Sequence, residues 1–157
     1  MTACGVQPGA PVTYQFDNFS LYGAVAPTTG DSFFLELPSL NSRAFQRWLD
    51  GFAATFPTSW NLLVLDNGAG HKAKAVRWPS HVVPVFLPPS SPERKPMERL
   101  WRDLKDQLAD ISAHTIEALS DAVCAIIPNY AHATLQSLTS VPYFVQAIAT
   151  AQKAIYV

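Results

Sequence analysis

Two carboxylates stand where the chain's pattern would let them meet a metal ion. Asp66 ends the apolar run Trp60 to Leu65 and is followed by Asn67-Gly68-Ala69-Gly70. An apolar run of that length closed by a turn reads as a buried strand, and ligands of open α/β sheets gather beyond the carboxyl ends of strands. Glu98 is the third residue of a helix whose first position suits Pro96. Carboxylate oxygens are the preferred ligands of hard divalent cations, so two acids on separate elements point to magnesium or manganese. A two-metal site of this kind activates a nucleophile and steadies a leaving oxygen, which is the chemistry of phosphodiester cleavage and transfer. His71 follows Asp66 by five positions within a basic stretch that includes Lys72, Lys74 and Arg77. Taken singly, each acid has an ordinary reading: a strand-to-helix turn for Asp66, and for Glu98 a favourable position at a helix N-terminus paired with Arg102 at i+4.

The elements that must position these groups follow from the hydrophobic pattern. Residues 12 to 25 form an aromatic, β-prone stretch that slips once in its alternation, and Pro27 to Asp31 is a turn leading to a second strand, Ser32 to Leu37, so a hairpin is expected. Asn41 or Ser42 caps a helix running to about Thr55, with Phe45, Trp48, Leu49 and Phe52 on one face and Pro57 closing it. The run ending at Asp66 reads as a strand covered on both faces, and a helix before it implies a crossover with at least one parallel pairing. His81 to Leu87 is a further strand, placed at an edge by Pro84. From Pro96, Met97, Leu100, Trp101, Leu104 and Leu108 recur at helical spacing, which makes Trp101, like Trp48, a core residue; Trp78 is more open. Residues 111 to 157 hold two or three helical segments punctuated by Pro128 and Pro142. The order of elements is that of an α/β fold with a mixed sheet flanked by helices.

Composition narrows the function classes. The 157-residue chain is 48% hydrophobic, enough for one domain with a core. Its net charge is −1 with 15% charged residues, so contact with a polyanion must be local. Cys4 and Cys124 are far apart and outside any zinc spacing, and are expected as free thiols of a reducing cytoplasm. No apolar stretch approaches the roughly 20 residues of a membrane span, and the N-terminus lacks a leader pattern. His81, His114 and His132 share no ligand spacing and are expected to be structural or on the surface.

The segments Leu65 to His71 and Leu87 to Lys105, taken together, resemble the catalytic core of mariner-like DDE transposases of the bacterial insertion-sequence branch. In that family a strand ends in Asp-Asn with a His five positions on. A proline-rich segment then leads into Asn-Pro-x-Glu-x-x-Trp-x-x-Leu-Lys, matched here from Lys95 to Lys105. Residues 22–25, 28–30 and 33–35 extend the likeness to roughly residues 5 to 110. The resemblance implies a ribonuclease H-like catalytic domain over 1–110, with 111–157 as a C-terminal helical extension of the same domain. It implies Mg2+- or Mn2+-dependent cleavage at transposon ends and joining to target DNA. Asp66 and Glu98 would be catalytic metal ligands, and His71 and Lys72 beside the motif would lie at the DNA; Arg94 and Lys95, which depart from the family, either contact DNA phosphates through their charge or are drift in a copy no longer under selection.

The sequence departs from the family in specific places. The strand carrying the family's first Asp is not found before residue 12, and Asp17 does not match a family acid. No helix-turn-helix recognition segment precedes the catalytic part. Lys95 stands where the family has Asn, and Arg94 where it has an apolar residue. Three readings follow: a transposase catalytic fragment impaired by the missing acid, a non-catalytic fragment that binds or regulates full-length transposase, and an independent ribonuclease H-like nuclease. An absent interior strand would also leave its neighbour's backbone groups and apolar face uncovered, so a marginal fold is expected.

Overall fold

Aromatic residues at helical spacing organise the first half of the protein. A computed structural model describes residues 18–66, 75–87, 96–143, 145–146 and 149–150. Its element order is β1 (Ser20–Val25), β2 (Ser32–Leu37), α1 (Ser42–Thr55), β3 (Asn61–Leu65), β4 (Val82–Phe86), α2 (Pro96–Ala109), α3 (Ile116–Ile126), a 3-10 turn (Ile127–Asn129) and α4 (His132–Thr139). The chain divides into two compact units, one built chiefly from Ala3–Gly23 and Phe33–Pro92, the other from Ala24–Ser32 and Glu93–Val157.

In the first unit α1 starts where Asn41 caps it, its side-chain oxygen accepting from the Ala44 N–H at 2.9 Å. That bond satisfies one of the donors a helix start leaves open. The inward face carries Ala44, Phe45, Trp48, Leu49 and Phe52, all buried. Trp48 is the hub: its ring stacks on Phe45 (5.8 Å), Phe52 (5.4 Å) and Tyr22 (6.4 Å) and tilts against Phe33 (6.0 Å). Gly51 interrupts the helix with a poor helix former for a packing reason, because a Cβ there would lie 2.9 Å from the tip of the Phe33 ring. Tyr22 keeps its hydroxyl paired by donating to the Ser39 carbonyl at 3.2 Å.

Strands β3 and β4 pair in parallel with Leu62 opposite Val83, Leu63 opposite Pro84 and Val64 opposite Val85. Among the described strands the parallel pairing joins β3 to β4, and the pairing across α1 that a helix before β3 implied is not seen. Among the described residues the four strands form two two-stranded sheets, β1 with β2 and β3 with β4, giving a mixed α/β protein. Backbone polarity explains the tolerance of Pro84. Asn61 donates to the His81 carbonyl and Leu87 donates to the Leu65 carbonyl, so the odd residues of β4 face β3 and the Pro84 nitrogen faces outward. By the same alternation the backbone groups of Leu62 and Val64 face away from β4.

The expectation that β3 is covered on both faces is not met. Leu63 and Val82 are buried, but Leu62, Val64, Val83 and Val85, which the register puts together on the opposite face, are 51, 38, 40 and 42% exposed. An apolar run has the same composition whether one face or two are covered, so only the tertiary structure separates the cases.

In the second unit α2 packs against both α3 and α4. The core is Leu100 and Leu104 of α2, Val123 of α3, Ile127 of the turn, and Leu135 of α4. Thr115 caps α3 by accepting from the Ala118 N–H. Pro128 sits at the start of the 3-10 turn, where a missing N–H is harmless. The segment between β1 and β2 belongs to this unit and is docked on α4: Ser140 donates to the Pro27 carbonyl at 3.1 Å, Gln136 donates to the Thr28 carbonyl, and Gly30 lies against the backbone of His132.

A polar clip joins α2 to the residue that follows the 3-10 turn. The Tyr130 hydroxyl donates to Asp103 at 2.6 Å, and the Gln107 amide donates to the same carboxylate at 2.7 Å. Burial, then the hydrogen bond to Asp103, then that carboxylate's charge push the Tyr130 phenol well above its ordinary value. The folded state thus holds the phenol proton more tightly than the unfolded chain. The stabilisation is full below the unfolded value of about 10 and is lost progressively as pH rises above it. Stability measured by denaturant titration is therefore expected to decline above about pH 10, and to decline less steeply in Tyr130→Phe. Equal slopes for the two proteins would exclude the clip as a source of the pH dependence.

Candidate functional site

Asp66 is the first residue after β3 and is exposed there, and Glu98 is exposed in the first turn of α2. Both acids stand at the kind of element end anticipated from the sequence, Asp66 in the first unit and Glu98 in the second. His71, Lys72, Arg94 and Lys95, together with Asp17, lie outside the described residues. Two exposed carboxylates at element ends are suitable in type for a hard divalent cation. In number they fall short: among the described residues no three His, Cys, Asp or Glu side chains are grouped to hold a metal ion.

The connection from β3 to β4 is tied to α1 at a point that sequence reading did not find. The Gln46 amide donates to the Arg77 carbonyl at 3.0 Å, and the Arg77 N–H donates back to the Gln46 side-chain oxygen at 2.7 Å. A primary amide thus closes a two-bond ring with the backbone N–H and C=O of one residue across 31 positions, a relation with no local spacing. The next residue, Trp78, is half-buried with its ring edge-on to Phe45 at 5.8 Å. Trp78, the more open of the tryptophans by sequence, therefore serves packing as well.

The other histidines play no part in a ligand cluster among the described residues. His114 and His132 are exposed, and the His132 backbone is a packing surface for Gly30. His81 is half-buried, with Nε2 lacking a hydrogen-bond partner. Cys124 is disulfide-bonded, which overturns the expectation of a free thiol there; Cys4 lies outside the described residues. Spacing rules detect local cysteine patterns, whereas a disulfide requires only that two Cα atoms come within about 4.4–6.8 Å, wherever they lie in the sequence. The inference of a reducing compartment from free thiols falls with it. No helix among the described residues is long and apolar enough to cross a membrane.

Comparison with known proteins places this arrangement. An uncharacterized protein of Sinorhizobium fredii is 31% identical over 87 residues, which make up 55% of this chain and 64% of that protein. The chain thus spans less than two-thirds of that relative's length. No solved structure matches it significantly. The family of DDE superfamily endonucleases matches residues 3–120, a span that contains both Asp66 and Glu98, and the chain belongs to that family.

Proposed function

We propose that the chain is part of the catalytic domain of a transposase of the mariner-like insertion-sequence group, with a ribonuclease H-like fold, acting on the DNA of transposon ends and target. The observation that carries this reading is the family match across a strand end bearing Asp66 and a helix start bearing Glu98. Endonucleases of the superfamily use divalent metals. Asp66 and Glu98 would hold such an ion, which when bound supplies Lewis-acid activation of the attacking oxygen and charge stabilisation at the phosphate. By the resemblance the family's first Asp completes the site; no residue of this sequence matches it, so we expect the chain by itself to bind metal weakly and cleave poorly. His71 and Lys72 are assigned to the DNA by their place in the family motif, and Arg94 and Lys95 by their charge.

The reading is tested by Mn2+ titration of the full chain. Asp66→Asn and Glu98→Gln are each expected to weaken Mn2+ binding by about tenfold or more, the loss typical when a metal site is disturbed. A melting profile close to that of the wild type shows that any loss of binding in these exposed-residue variants is local. Unchanged Mn2+ affinity in both variants would remove these acids from the site.

A further inference from the structure

We propose that Arg43, Arg47 and Arg77, gathered around Gln46, form a further DNA-binding surface whose ligand is the phosphate backbone of duplex DNA. The inference rests on the reading of the chain as a DNA-cleaving protein and extends it to residues outside the family motif.

The surface is built from α1 outward. Arg43 and Arg47 are exposed at i and i+4, one turn apart on the face opposite Trp48 and Leu49. Gln46, beside them, grips the Arg77 peptide through the two hydrogen bonds of 3.0 and 2.7 Å, so the third arginine is brought to the same part of the helix. Trp78 against Phe45 pins the chain immediately after it. The Arg77 backbone is therefore held from two sides while its side chain remains exposed. Fixing the backbone in advance lowers the ordering cost of binding, which is what a contact residue needs.

Charge supports the same assignment. The whole chain has 11 basic and 12 acidic residues, so three arginines around one glutamine are a local concentration rather than a reflection of composition. Among the described residues none of the three guanidinium groups is ion-paired. Asp50, the acid nearest along α1, accepts instead from the Gln46 amide at 2.8 Å. A solvated helix face built for stability pairs arginine with an acid at i+3 or i+4; the acid available here, Asp50 at i+3 from Arg47, is taken up by the Gln46 amide instead. Arginine's planar set of donors matches phosphate oxygens.

The test is fluorescence anisotropy of the full chain with a labelled duplex of about 30 base pairs and arbitrary sequence, titrated at several salt concentrations, since each phosphate contact contributes about 0.9 to the log–log salt slope. The triple variant Arg43→Gln, Arg47→Gln, Arg77→Gln is expected to bind about 10- to 100-fold more weakly at low salt, with the slope reduced by about 2 to 3. The corresponding triple lysine variant keeps the charges and is expected to retain most of the slope. A triple glutamine variant with the wild-type melting profile and unchanged affinity and slope would overturn the proposal. If the binding loss follows glutamine at Lys72, Arg94 and Lys95 alone, the DNA-cleaving reading stands and this surface is discarded. Failure of the wild-type chain to bind duplex DNA at any salt concentration would remove both.

Discussion

Trp48→Ala is expected to lower the stability of the protein by about 3–5 kcal/mol, the range for deleting a large aromatic from a packed core. Trp48 is 3% exposed, and its ring meets Tyr22, Phe33, Phe45 and Phe52, so its removal leaves a cavity bordered by rigid rings that collapse poorly. Against a total stability of about 5–15 kcal/mol for a domain, that loss approaches unfolding. The consequences run along α1. Gln46 and the two arginines on its outer face keep their positions only while the inner face is packed, so the variant should also lose the anchor on Arg77.

A second substitution at the same position separates packing from polarity. The Trp48 Nε1 is buried without a hydrogen-bond partner, and an unsatisfied buried donor costs about 1–3 kcal/mol. Trp48→Phe removes that donor along with part of the ring volume, so the two effects oppose each other. Its net loss is expected to be well below that of Trp48→Ala, because the remaining ring leaves a smaller cavity and the unsatisfied donor is gone. Urea unfolding followed by circular dichroism measures both variants. A Trp48→Phe loss as large as that of Trp48→Ala would mean that the indole nitrogen has a role the packing does not explain.

Which features could be read before folding follows from the range of the interactions. Helix α1 was legible from end to end because its signals are local: Asn41 at the cap, four apolar residues at helical spacing and Pro57 beyond the last turn. The same is true of β2, bounded by Asp31 and Pro38, and of α2, opened by Pro96. Asp66 at a strand end and Glu98 at a helix start were legible because a run of apolar residues or a proline fixes each end. What escaped is long-range. The Gln46 ring with Arg77 and the Tyr130 bond to Asp103 join residues 31 and 27 positions apart, and either could have involved other polar side chains without changing any local pattern. The exposed face of β3 and β4 escaped for a related reason, since valine and leucine favour strands whether or not a neighbour covers them. Cys124 was misread because a disulfide requires no local spacing that a sequence pattern would show.

Gly30→Ala is the other substitution expected to have a large effect, through two independent mechanisms at one atom. Gly30 has φ of 77°, a left-handed conformation that puts an L side chain close to the backbone and is strained by roughly 1–2 kcal/mol for a non-glycine residue. The turn requires this conformation, because the Gly30 N–H donates to the Ala26 carbonyl and the Ala26 N–H donates to the Asp31 carbonyl, both at 2.8 Å. A Cβ at this position would also lie 2.4 Å from the His132 carbonyl oxygen and 2.7 Å from its Cα. Those are backbone atoms at the start of α4, with no rotamer to swing away, so either the turn or the helix must move. Movement would strain the bonds from Ser140 to Pro27 and from Gln136 to Thr28, which hold the same surfaces together. The combined loss is expected to exceed about 3 kcal/mol, beyond the usual range for a single substitution. The comparison is Gly51→Ala, where a helix-propensity gain of about 1 kcal/mol opposes the cost of displacing the tip of the buried Phe33 ring, a side chain rather than backbone, 2.9 Å from the added methyl. Calorimetry of the two variants should show a far larger fall for Gly30→Ala, and equal melting temperatures would mean that the turn does not bear on α4 as the geometry describes.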